Sequence, residues 1–106
     1  MPQPAVIVTA VFRPNPGARE PLLSALERLI PLVHDEAGCL LYAINEQSDG
    51  TIVMIEKWES AELLDAHGAG PAVSEFGATI AGLLAGPVVV ERLAPLPIGD
   101  PAKGAL

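Results

Sequence analysis

The chain has 106 residues, a mass of 11.0 kDa and 50% apolar residues, which predicts one compact domain and excludes a second. Its 13 acidic and 6 basic residues give a net charge of −7, and the scattered cations exclude nucleic acid and membrane surfaces as partners. The lack of a membrane-spanning stretch or basic signal region, together with a single cysteine, predicts a cytoplasmic protein.

The first half of the chain predicts a strand followed by a helix. Val6–Phe12 is rich in β-branched residues, and the Pro/Gly cluster at residues 13–17 ends this strand. Over residues 19–35, apolar side chains recur every three or four positions, which indicates an amphipathic helix. We expect a kink or an early end at Pro31, because proline removes a helical hydrogen bond, and a final stop at Gly38.

A hairpin is predicted next. Residues 40–46 and Ile52–Trp58 flank an Asp-Gly pair at 49–50, which is a strong turn signal, so the two strands should pair antiparallel. Ser60 then caps a short helix over residues 61–67.

The remaining elements are a helix, a strand and a tail. Pro71 opens a helix that we expect to continue until Gly86 and Pro87. Residues 88–93 form the last strand. The predicted domain therefore covers residues 1–94, and residues 95–106 form a tail rich in proline and glycine.

This order of elements predicts an α+β fold, a ferredoxin-like βαββαβ sandwich with an antiparallel sheet. The strands are apolar at both odd and even positions, although a sheet with one wet face should alternate. Helices can cover only one face. We therefore expect the other face to pack against the same face of a second copy, giving a homodimer.

His67 is the first candidate for chemistry, because an imidazole exchanges protons near neutral pH. The simpler explanation of His67 is a histidine that the helix dipole stabilises at a helix end, and we prefer that structural explanation outright for His34. Glu36 is assigned a structural role, accepting hydrogen bonds from the turn that follows it.

Glu56 and Trp58 lie two residues apart on one strand and so point to the same sheet face. Beneath the helices they would line a pocket in which Trp58 stacks on a planar ligand and Glu56 handles a proton. Otherwise Trp58 is a core anchor and Glu56 pairs with a cation. Tyr42 could offer its hydroxyl to a ligand or simply be half-buried, and Phe76 is most simply a core residue.

The sequence contains no phosphate-binding glycine loop and no dinucleotide fingerprint, so no nucleotide or flavin cofactor is expected. One cysteine and two histidines without a short ligand spacing make a metal site unexpected.

Several short motifs together resemble a known family. They are PG at residues 16–17, EAGCL at 36–40 with Tyr42 following, EKWES at 56–60 and DAH at 65–67. Over residues 5–94 the chain resembles the antibiotic biosynthesis monooxygenases, including their quinol-oxidising members. The resemblance implies a dimeric α+β barrel and a cofactor-independent oxidation of anthrones, hydroquinones or similar phenols by molecular oxygen.

Within that resemblance, we assign His67 as the proton acceptor, with Glu56 as a second catalytic group. Trp58, Tyr42 and Phe76 would contact a small aromatic or hydrophobic substrate. The haem-degrading branch is disfavoured, because the positions of its asparagine, tryptophan and histidine fall on Ala10, His67 and Gly77.

Two other functions stay open. The first is an isomerase or another proton-transfer enzyme that acts on a small oxygenated metabolite and consumes no oxygen. The second is a module that binds a hydrophobic compound without turnover. Oxygen consumption separates the first from a monooxygenase, and turnover separates both enzymes from the binding module.

Overall fold

The computed structural model describes residues 4–106, and in that part of the chain four strands and three helices follow one another. The elements are, in order, β1 (Val6–Phe12), α1 (Arg19–His34), β2 (Cys39–Glu46), β3 (Ile52–Trp58), α2 (Ala61–Gly68), α3 (Pro71–Thr79) and β4 (Val89–Leu93). The four strands form one antiparallel sheet in the order β2-β3-β1-β4. The predicted ferredoxin-like fold is confirmed.

Strand periodicity determines which residues enter the core. Even-numbered residues of β1 and β3 share one face, because Val8 is opposite Glu56 and Ala10 is opposite Met54. This face packs against the apolar stripe of α1, which includes the fully buried Leu22 and Leu26. The helices therefore cover the side of the sheet that carries Glu56.

The opposite sheet face is also apolar. It carries the odd-numbered residues of the central strands, among them Val11 on β1 and Val53 and Ile55 on β3. These side chains are only partly buried, so the two-sided pattern of the sequence leaves an apolar surface on the single chain.

Two helix ends differ from the sequence prediction. Helix α1 continues through Pro31 to His34, so the early end is wrong; the buried Leu29 and Val33 hold the turns on either side of the proline against the core. Helix α3 stops at Thr79 instead of continuing to residue 86.

The early end of α3 has a tertiary cause. Asn15, in the loop after β1, donates its backbone amide to the carbonyl of Leu83 at 2.8 Å. Its side-chain amide donates to the carbonyls of Gly82 and Leu84 at 3.1 and 3.2 Å. Gly82 has a φ of +83°, which a helix does not allow. The residues after Ile80 therefore form a turn tied to the loop after β1.

The predicted tail follows β4, and its apolar side chains are exposed: Leu96 is 77% and Ile98 is 78% exposed. The division of the chain at residue 94 stays a prediction, and residues 1–3 of the predicted domain lie outside the described part. No helix within residues 4–106 is long and apolar enough to cross a membrane.

Gly38 joins the turn after α1 to the start of α2. Its carbonyl accepts a hydrogen bond from the amide of Glu59 at 2.8 Å, and its φ is +84°. A Cβ atom at this position would lie 2.5 Å from Cδ1 and 2.8 Å from Cβ of Leu63 on α2. Only glycine fits this conformation and this approach.

We expect Gly38→Ala to lower the free energy of unfolding by about 2–4 kcal/mol, since it adds a steric clash to the cost of a positive φ. Gly17→Ala is the matched control, because Gly17 has a φ of +81° but no atom within 4 Å of its added Cβ. Gly17→Ala should lower the free energy of unfolding by about 1–2 kcal/mol. Denaturant unfolding at one protein concentration measures both, and equal losses would contradict the packing argument.

Candidate active site

Two neighbouring strands and helix α2 bring the candidate side chains together. Glu56 and Trp58 share one face of β3, as their spacing predicted, and that face lies beneath the helices. Tyr42 on β2 is directly opposite Glu56. Ser60 begins α2 by accepting a hydrogen bond from the amide of Leu63 at 3.2 Å. Because α2 starts so soon after Trp58, its last turn returns over the sheet.

That last turn places His67 on the indole of Trp58. The ring centroids are 4.5 Å apart and the planes differ by 28°, which is a stacked arrangement. Tyr42 presents its ring edge-on to both, with centroids 5.5 Å from His67 and 6.4 Å from Trp58. All three residues are buried, so the imidazole is held between aromatic groups instead of lying at an exposed helix end.

Glu56 is a buried carboxyl group beside these rings. Its Oε1 accepts a hydrogen bond from the indole Nε1–H of Trp58 at 2.9 Å. Within residues 4–106 it has no salt bridge, so the partner is an indole N–H and not the cation considered as an alternative. Burial raises the pKa of Glu56, while the Trp58 hydrogen bond and the charge of His67 oppose that rise. A carboxyl group with a raised pKa gains and loses its proton at a pH closer to neutral.

Tyr42 stays protonated at this position. Burial raises the pKa of its phenol well above the usual range, and the negative charges of Glu56 and Glu36 raise it further. A neutral phenol can donate a hydrogen bond to an oxygen atom of a ligand.

Glu36 was assigned only a structural role in its turn, and its pairing with His67 is what the sequence analysis missed. Its Oε1 lies 2.7 Å from Nδ1 of His67, although the two residues are 31 positions apart. The turn that carries Glu36 follows α1 and is held beside α2 through Gly38. The presence of a histidine and of 13 acidic residues gives no signal for this one pairing.

Phe76 lies apart from the other four candidate residues. Its ring meets Phe12 edge-on, with centroids 6.0 Å apart. Phe12 and Trp58 are at opposite ends of the paired strands, because Val6 is the residue opposite Trp58. Their backbones are therefore roughly 20 Å apart at about 3.3 Å per residue. Phe76 lines a groove of about 180 Å³ between α1 and α3, and its contact with substrate stays a prediction.

His34, at the end of α1, is outside the cluster. Its Nε2 lies 3.0 Å from the backbone carbonyl of Tyr42, and its side chain is exposed. Within residues 4–106, no three His, Cys, Asp or Glu side chains come together as a set of metal ligands.

Comparison with known proteins gives consistent matches. The sequence model of the family described as antibiotic biosynthesis monooxygenase matches residues 5–79. The chain is 38% identical to Rv0793 of Mycobacterium tuberculosis over 92 residues, which cover 86% of this chain and 91% of the relative. It is 31% identical to the probable quinol monooxygenase YgiN of Escherichia coli K12 over 87 residues, covering 71% and 84%.

Solved structures agree with these matches. The structure of Rv0793 superposes with a TM-score of 0.83 at 36% identity, covering 91% of this chain and 99% of that one. The structure of SO0527 from Shewanella oneidensis superposes with a TM-score of 0.78 at 30% identity, covering 86% and 90%.

The raised pKa of Glu56 predicts a pH-dependent difference in stability between wild type and Glu56→Gln. Between the unfolded and the folded pKa the folded wild type binds more protons, so it loses stability as the pH rises. Glutamine keeps an oxygen for the indole N–H and does not titrate. We expect the difference in unfolding free energy to shift toward the variant from pH 4 upward, measured by urea unfolding. A difference independent of pH would contradict the burial of a charged Glu56.

Proposed function

The chain belongs to the antibiotic biosynthesis monooxygenase family, and from this premise we propose that it is a cofactor-independent monooxygenase. Its substrate would be a small electron-rich aromatic compound, a hydroquinone, an anthrone or a related phenol, and its oxidant molecular oxygen. The observation that carries the proposal is the buried stack of His67 on Trp58 beside Glu56. The name of YgiN, a probable quinol monooxygenase at 31% identity, supports the substrate class.

The proposed reaction begins with a proton transfer. His67 accepts the acidic proton of the substrate, and the resulting anion is electron-rich enough to pass an electron to oxygen directly. With an anthrone, the CH₂ carbon loses two hydrogens and gains one oxygen atom, and the second oxygen atom leaves as water. The four electrons that reduce oxygen all come from the substrate.

The surrounding residues supply binding and a second proton site. Trp58, which is fully buried, is an aromatic wall behind the imidazole of His67, and the neutral phenol of Tyr42 donates to a substrate oxygen. Glu56, with its raised pKa, holds or releases a proton during the later steps. Burial of this cluster strengthens each electrostatic interaction, because water does not screen the charges there.

We also propose that the protein is a homodimer in which the two apolar sheet faces pack together. Val11, Val53 and Ile55 on the central strands are partly exposed in the single chain. Burial of such a face against its own copy would stabilise a chain of 11.0 kDa, whose own core is small. The cytoplasmic location of the protein stays a prediction.

Oxygen uptake with a panel of hydroquinones and anthrones tests the activity. We expect saturable uptake above autoxidation, and His67→Ala should lower kcat/KM by about 10²–10⁴-fold because the base is lost. His34→Ala is the matched control, since it removes the other histidine, which is exposed, and should leave kcat/KM unchanged. Incorporation of one ¹⁸O atom from ¹⁸O₂ into the anthraquinone formed from an anthrone identifies a monooxygenation. Uptake no faster than autoxidation across the panel would contradict the proposal.

Sedimentation equilibrium tests the dimer. We expect the wild type to sediment at twice 11.0 kDa, and Ile55→Lys to sediment as a monomer because a buried lysine charge would face its own copy. Leu32→Lys is the control, since Leu32 is 58% exposed on α1 and faces away from the sheet interface. A wild-type protein at 11.0 kDa, or a dimeric Ile55→Lys variant, would contradict the interface.

A further inference from the structure

We propose that Glu36 is a positioning residue that determines which nitrogen of His67 carries the proton, an inference that rests on the proposed role of His67 as a base. Nδ1 of His67 is 2.7 Å from Oε1 of Glu36. The imidazole side chain is 7% exposed and the carboxylate 28% exposed, so water competes little for this hydrogen bond.

The chemistry of the two groups fixes the direction of the bond. An ionised carboxylate only accepts hydrogen bonds, so Nδ1 must donate its proton to Glu36. In the neutral ring, Nε2 then keeps its lone pair, and within residues 4–106 no hydrogen-bond partner occupies it. Nε2 is therefore the atom that can take a proton from a substrate hydroxyl.

Glu36 also stabilises the charge that this transfer creates. When the substrate O–H proton moves to Nε2, both ring nitrogens are protonated, and the positive ring faces the negative carboxylate. The same proton returns from Nε2 to the reduced oxygen at the end of the reaction. The proton count of the pair is thus unchanged over one turnover.

The backbone holds Glu36 in place from both sides. Its own amide donates to the carbonyl of Val33 at 2.9 Å, and its carbonyl accepts from the amide of Cys39 at 3.3 Å. The hydrogen bond between Glu59 and Gly38 then fixes this turn against the start of α2. Because the backbone of this turn is fixed, the carboxylate reaches the imidazole from a defined starting position.

The other polar groups around His67 have different partners. The Oε1 atom of Glu56 on β3 accepts its hydrogen bond from the indole N–H of Trp58 and not from the imidazole. Tyr42 on β2 presents its ring edge. Asp65 on α2 itself accepts a hydrogen bond from Arg92 at 2.6 Å. Direct control of the tautomer is therefore assigned to Glu36 alone.

Nitrogen-15 NMR of the imidazole rings tests the assignment without any substrate. The chain has two histidines, so His34→Ala identifies the His67 signals. In the neutral ring of the wild type we expect a proton on Nδ1 and a bare Nε2. Glu36→Gln should move the proton to Nε2, because the amide NH₂ donates to Nδ1. Asp35→Asn, which removes the neighbouring exposed carboxylate, should leave the tautomer unchanged.

Steady-state kinetics give the second readout. Glu36→Gln should lower kcat about 10²-fold or more with little change in KM, whereas Asp35→Asn should keep both. A bare Nδ1 in the wild type, or a Glu36→Gln variant with full kcat, would overturn the positioning role. The first of these outcomes needs no change at Glu36, so the test stays valid even if Glu36→Gln folds poorly.

The two proposals can fail separately. An Nδ1-protonated wild type that shifts in Glu36→Gln, with no turnover of any substrate, supports the positioning role and contradicts the monooxygenase. Turnover that depends on His67 but not on Glu36 supports the monooxygenase and overturns the positioning role.

Discussion

The hydrogen bond between the amide of Glu59 and the carbonyl of Gly38 joins two parts of the chain on which the candidate site depends. One part is the turn that carries Glu36, and the other is the start of α2, the helix that ends at His67. Their distance is short because Gly38 has no side chain to meet Leu63. The absence of a Cβ methyl group at Gly38 therefore decides whether the carboxylate of Glu36 reaches the imidazole of His67. This steric requirement is far stricter than the general requirement that a helix packs on a sheet.

Stability and chemistry make opposite demands at this end of the molecule. Glu36, Glu56, His67 and Tyr42 place four titratable groups beside one indole, in a domain whose apolar core is small. Burying such groups costs free energy unless each finds a partner. Oε1 of Glu56 has the indole N–H of Trp58 as its partner, and Nδ1 of His67 has the carboxylate of Glu36. The cost that remains is the suppressed ionisation of Glu56 and Tyr42, and this shifts their proton affinity in the direction that acid–base chemistry requires.

Local rules predicted most of the fold and part of the site. The period of two in β3 was enough to place Glu56 and Trp58 on one face, and the Asp-Gly pair was enough to pair β2 with β3. The predictions failed where residues distant in the sequence determine the structure. Asn15 binds the turn that ends α3 through hydrogen bonds that span more than 65 positions, and no propensity of the helix itself contains that information.

The pairing of Glu36 with His67 was missed for the same reason. The sequence suggested a base at His67, but its partner depends on the angle at which α2 returns over the sheet, and that angle follows from packing. For Phe76 the local structure was predicted, but its position relative to the other candidate residues was not. Its helix was predicted, yet the strand register places its neighbour Phe12 at the far end of the sheet from Trp58.

The contacts of Asn15 and the position of β4 together set the length of chain that must fold as one unit. The family match ends at residue 79, but β4 follows later in the chain. It pairs with β1, which is one of the two central strands of the sheet. Until these last residues leave the ribosome, one edge of β1 has no partner and the loop at Asn15 has nothing to bind. The nascent chain therefore completes its sheet only after Leu93 has emerged, which exposes an apolar strand edge during synthesis.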